Sequence, residues 1–182
     1  MIRLLTILFL STLSHAVFSA PPPFADIHLH FNWDQKEIIS AQEVVKRLKA
    51  NNVVLATVSS TPTELALELS EAGGPWIQPF FSPYLSVSHR DRWFLDEKVL
   101  DEAEKGLASG RYKGIGELHV WSGLRPRRDN KILTGLLKLA EKHQVPFLIH
   151  TEASSHLFFT PICQTYPNVR FLWAHAGGRL KP

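Results

Sequence analysis

Residues 24–34 read FADIHLHFNWD. From Asp26 onward polar and apolar residues alternate, the period-two pattern of a β-strand. That period places Asp26, His28 and His30 on one face. The turn that follows, Phe31-Asn32-Trp33-Asp34, contains no glycine. An open doubly wound sheet built to bind a dinucleotide would carry a glycine-rich phosphate turn here. A (β/α)8 barrel needs none, and it gathers its reactive groups at the C-terminal ends of several strands. His28 and His30 lie at such an end, so a barrel is expected.

The same unit repeats outward from this strand. Residues 53–59 (VVLATVS), 76–81, 113–120 (KGIGELHV), 146–151 (PFLIHT) and 169–176 (VRFLWAHA) read as further strands. Residues 40–52, 61–74, 96–109, 132–144 and 156–165 carry helical periodicity. Ser40 and Glu43 form a capping box for the first of these helices. Thr61 is the expected cap of the second, with Pro62 at its first position, and Gly73-Gly74 stop it. The β-branched run at 53–59 predicts a strand buried on both faces. Alternation at roughly 25 residues per unit means parallel strands with helical crossovers. The fold class expected is α/β, a TIM-type barrel with six of its eight βα units.

Composition agrees with a soluble globular domain. The 182 residues are 45% hydrophobic and 20% charged, which excludes collagen-like, low-complexity and disordered classes. Lys+Arg 20 against Asp+Glu 17 gives a net charge of +3, too small to point to nucleic acid or an anionic membrane. The lone cysteine, Cys163, excludes an internal disulfide and a Cys-rich zinc site. Arg3, the apolar run at 4–13 and the small residues Ser14, Ala16, Ser19 and Ala20 form the layout of a secretory signal peptide. The apolar run is shorter than the about 20 residues that span a bilayer. Residues 1–19 are therefore expected to be a signal peptide and 20–182 the barrel domain. The mature protein would be periplasmic or secreted, without a membrane anchor.

Chemistry concentrates at four strand ends. His28 and His30 leave the first strand together, Glu117 lies near the end of the fourth, His150 ends the fifth and His175 ends the sixth. In a barrel these five side chains converge at one end of the axis. Four imidazoles and a carboxylate suit zinc, and manganese, iron or nickel less selectively. His119 and Glu152, two residues past Glu117 and His150, share their face, and His119 is a candidate substrate contact. The loops bearing Arg90 and Arg92, and Arg125, Arg127 and Arg128, flank the mouth and suit a carboxylate or phosphate. Trp33 and Trp121 are candidate pocket walls, and Cys163 is expected to be inert.

The motifs FADIHLHF, GIGELH, FLIHTE and FLWAHAGG resemble the successive strand-end motifs of the amidohydrolase superfamily. The branch they are most similar to is that of the amidohydrolase-related TIM-barrel hydrolases, which includes TatD-like nucleases and some decarboxylases. The resemblance implies that His28 and His30 bind the more buried metal, that Glu117 bridges, and that His150 and His175 bind a second metal. Glu117, His150 and His175 are then the catalytic set. It also implies two further strands, the last ending in a metal-ligating Asp, so a chain ending at Pro182 is expected to be an incomplete barrel of reduced activity. The function expected is metal-dependent attack of water on a carbonyl or phosphoryl centre of a small, anionic substrate. A decarboxylase, a TatD-like nuclease and a non-catalytic barrel fragment are the alternatives. Oligomeric state is left open.

Overall fold

The computed structural model describes residues 21–121, 126–152 and 156–177. Six strands, β1 (Phe24–His30), β2 (Val53–Ser59), β3 (Ile77–Phe81), β4 (Gly114–Trp121), β5 (Phe147–Glu152) and β6 (Phe171–Trp173), follow one another in chain order. Each pairs in parallel with the next in a single sheet. The helices are α1 (Trp33–Lys36), α2 (Ala41–Ala50), α3 (Glu64–Gly73), α4 (Lys98–Ala108), α5 (Lys131–His143) and α6 (His156–Thr165). Sequential parallel strands joined by helices are successive units of a TIM-type barrel. Among the described residues no helix is long and apolar enough to cross a membrane.

The core lies between sheet and helices. Leu133, Leu136 and Leu137 of α5 pack with Ile115 and Leu118 of β4 and with Phe147 and Ile149 of β5. A smaller cluster joins Val45 of α2 and Leu69 of α3 to Ala56 and Val58 of β2. Ser40 caps α2, its Oγ accepting the Glu43 N–H at 3.2 Å, but the Glu43 carboxylate pairs with Lys46 and Arg47 and does not complete the expected capping box. Thr61 does not cap α3. That helix starts at Glu64, and its Thr63 Oγ1 accepts the Ser82 N–H beyond β3 instead of capping. The β2 strand is not buried on both faces, because Val54 and Leu55 are 53% and 37% exposed.

Register breaks aim the site residues. Asp26 pairs with Ala56 and Leu29 with Val58, so β1 advances three residues while β2 advances two. Ile115 pairs with Phe147 and Leu118 with Ile149, so β4 carries the same extra residue against β5. Each break is a bulge, which locally resets the alternation of side chains. As a result Ile115 and Leu118, three apart, both pack outward into the core, and Glu117 turns to the inner face. On β1 the reset removes Asp26 from the face of His28. Asp26 instead lines a cavity of about 380 Å³ with Val44, Arg47 and Leu48 of α2. Its carboxylate accepts the His28 N–H at 3.0 Å.

Candidate metal centre

Glu117 is the hub. It is 3% exposed. Its Oε1 lies 3.2 Å from His28 Nε2 and 3.0 Å from His150 Nδ1, and its Oε2 lies 3.2 Å from His30 Nε2. The His175 ring stands 4.8 Å from that of His28 and 5.1 Å from that of His150, centroid to centroid. Two groups share the carboxylate: His28, His30 and Glu117, and Glu117, His150 and His175, the ligand atoms of each within 4.8 Å of one another. The five residues expected to converge do so.

Their protons point to a cation. His30 Nδ1 lies 3.0 Å from the carbonyl oxygen of Ser59, which can only accept, so Nδ1 carries the hydrogen. In the neutral ring Nε2 then presents a lone pair to Glu117 Oε2 at 3.2 Å. Two lone pairs at that distance repel unless a proton or a metal ion lies between them. His28 Nε2 is buried without a hydrogen bond, since its approach to Oε1, though 3.2 Å long, misses hydrogen-bond geometry. A ligating imidazole that donates its other N–H to a backbone carbonyl is the usual support for a metal site. The donor set fits a divalent ion such as zinc.

Electrostatics follow from burial around one anion. Burial pushes the Glu117 carboxyl up, but the imidazoles of His150, His28 and His30 outweigh it and hold the group well below the usual carboxylate range. Burial also lowers His30, yet hydrogen bonding and attraction to Glu117 prevail and leave it raised. His119 is lowered to about 4, chiefly by burial, against the attraction of Glu117. His175 is lowered by burial and by the neighbouring His28 and His150.

Two supporting residues escaped the sequence reading. Ser59, at the end of β2, holds His30 through its carbonyl, and its hydroxyl accepts the Glu117 N–H. Its strand-end position was the available signal. Tyr84, in the loop after β3, bonds His119 through its hydroxyl, and no pattern marked it. His175 also differs from expectation. The sixth strand ends at Trp173, and His175 sits on the following 3₁₀ turn, with His175 and Ala176 at φ 52° and 49°. Left-handed backbone at two non-glycine residues is strain of the kind that gathers at functional sites.

The remaining candidates divide. His119 joins the cluster, its ring stacked on His150 at 4.5 Å. Arg127 is instead exposed and paired with Asp129 at 3.0 Å, and Arg128 donates to the carbonyl of Leu157. Arg90 is exposed, and its charge adds to the lowering of His119, which is chiefly due to burial, and opposes the rise of His30 and Tyr84. Arg125 and the side chains of Trp121 and Glu152 lie outside the described residues. Burial pushes the Cys163 thiol up, in keeping with an inert residue.

The family model described as Amidohydrolase matches residues 25–181. Among solved structures, the chain is similar to YjjV, a TatD homologue from Escherichia coli K12, with a TM-score of 0.56 and 16% identity. That match covers 80% of this chain and 57% of the other. Comparison with curated proteins gives no match.

Proposed function

The chain belongs to the amidohydrolase family, and from that premise we propose that it is an exported metal-dependent hydrolase acting on a carbonyl or phosphoryl centre of a small anionic substrate. One observation carries the reading: the His30 Nε2 lone pair faces the buried Glu117 carboxylate at 3.2 Å, an approach that repels unless a proton or a metal ion lies between them. His28, His30 and Glu117 would hold one divalent ion, and Glu117, His150 and His175 a second. Bound there, such an ion supplies Lewis acidity and lowers the pKa of a water to about 7. The protein's own part is to fix these ligands before substrate arrives. Ser59 locks His30 and Glu117 together, and burial strengthens every charge interaction between them. Arg90 supports an anionic substrate, because its charge already reaches His30 and His119. The apolar run at 4–13 supports export to the periplasm or beyond.

The test is metal titration of the full chain by calorimetry, followed by a panel of esters, lactones and phosphodiesters. Zinc should bind, and Glu117→Gln should weaken it by about 100-fold or more, since both groups lose a shared ligand. Equal zinc binding by wild type and Glu117→Gln would overturn the reading. Zinc binding without turnover of any panel member would favour a non-catalytic barrel, and turnover confined to phosphodiesters a nuclease.

A further inference from the structure

Tyr84 is not among the metal-binding groups, yet its hydroxyl bonds His119, which stands beside them. The side chain is buried, at 3% exposure. Its Oη accepts the backbone N–H of His119 at 2.8 Å and lies 2.7 Å from His119 Nδ1. The backbone N–H can only donate, so the phenol keeps its own hydrogen for a second partner. Among the described residues His119 Nδ1 is the acceptor in reach of it. A buried hydroxyl left without an acceptor is costly. The phenol therefore donates to Nδ1, and an imidazole that accepts at Nδ1 is neutral with its hydrogen on Nε2.

That Nε2 lies 4.0 Å from Glu117 Oε2, beyond hydrogen-bond distance. The N–H is thus aimed beside the shared carboxylate without being bonded to it. The ring has little freedom to turn away. His119 is paired in register with His150, and their rings stack 27° from parallel. Tyr84 itself is tied down on both sides: its N–H donates to Ser82 Oγ, and its carbonyl accepts the Thr63 N–H.

From this we infer that Tyr84 is a positioning residue that sets His119 as an Nε2–H donor to an oxygen of the substrate held beside Glu117. The inference rests on the hydrolase reading only for the identity of that oxygen, since the choice of tautomer stands on the hydrogen bonds alone. A fixed donor beside a metal site is worth most where charge develops on oxygen. Burial raises the phenol pKa, so Tyr84 stays protonated as the role requires.

The experiment uses the full chain labelled with ¹⁵N-histidine. Long-range ¹H–¹⁵N spectra at neutral pH report which ring nitrogen carries the hydrogen, with His119 assigned by its loss in His119→Ala. The expected result is protonated Nε2 and bare Nδ1 in the wild type, a pattern that Tyr84→Phe erases. Inorganic phosphate serves as the oxyanion probe. In zinc-loaded protein Tyr84→Phe and His119→Ala should each weaken phosphate binding by about tenfold, the worth of one hydrogen bond, with zinc affinity of Tyr84→Phe within about twofold of wild type. Protonated Nδ1 in the wild type overturns the proposal, whether or not the variants fold. So does unchanged phosphate affinity in both variants. Failure of the wild type to bind zinc would sink the hydrolase reading instead, leaving the tautomer spectrum to decide the role of Tyr84.

Discussion

Glu117 shows how much one buried carboxylate demands of its neighbours. An isolated buried anion is expensive, and here the partners are imidazoles, whose charge depends on pH. In chelator-treated protein they should pull stability in opposite directions on the two sides of pH 6.5. His30 is raised above 6.5, so its contribution is complete below that value and fades as pH rises through the folded one. His119 is lowered from 6.5 to about 4. The unfolded chain therefore takes up this proton first as pH falls, and stability is lost between 6.5 and about 4, by on the order of 1–3 kcal/mol. His175, also lowered, acts with the same sign. The depressed Glu117 carboxyl is neutral in this argument until pH drops below its ordinary value of 4.5. Urea titrations at pH 6.5, 5.5 and 4.5 measure the slope, and His119→Gln should reduce it. A flat profile in the wild type would contradict the assignment. All five candidate ligands were legible because each is a His or Glu in or just after a strand, although Glu117 and His150 lie inside β4 and β5 and His175 stands beyond the end of β6. Ser59 and Tyr84 were missed because they act through one carbonyl and two hydroxyls that bond backbone and ring atoms of other strands, pairings that no spacing in the sequence encodes.

At the scale of elements, two bulges convert ordinary strands into a binding site. Period-two reasoning found His28 and His30 but put Asp26 beside them, because an inserted residue leaves no mark on a hydrophobic pattern. The β4 bulge depends on Gly116. Its φ is 117°, and a Cβ there would stand 2.1 Å from the carbonyl oxygen of Leu148 on β5. Gly116→Ala should therefore cost roughly 2–4 kcal/mol in a denaturant titration, and it should abolish zinc binding because Glu117 can no longer turn inward. A variant as stable as wild type with intact zinc affinity would show that the bulge is not needed. Ser59→Ala offers a milder test of the link between β2 and β4. It leaves the buried Glu117 N–H without its acceptor but keeps the carbonyl that holds His30. Zinc affinity measured by calorimetry should fall by about 10–100-fold, while the fold survives.

Over the whole molecule, the alternation of strand and helix was plain from the sequence because the crossover helices bury an apolar face against the strands. What alternation could not supply is the condition of the sheet's two sides. Among the described residues β1 pairs only with β2, and β6 only with β5. β1 itself carries large exposed apolar groups, Phe24 at 47% and Ile27 at 52%. The adjacent strand adds Val54 and Leu55. An unpaired strand edge carrying apolar side chains is a template for further pairing, and natural sheets protect such edges with charge. The 182-residue chain should therefore self-associate as its concentration rises, through this edge and not through the metal centre. Phe24→Lys separates the two cases. It places a charge at the first residue of β1, remote in register from His28 and His30. Light scattering coupled to size exclusion should show wild-type mass growing with concentration and Phe24→Lys shifted toward monomer. Zinc affinity should be equal in the two proteins. Wild type that stays a monodisperse monomer over a hundredfold concentration range would show that something on the molecule already shields this edge.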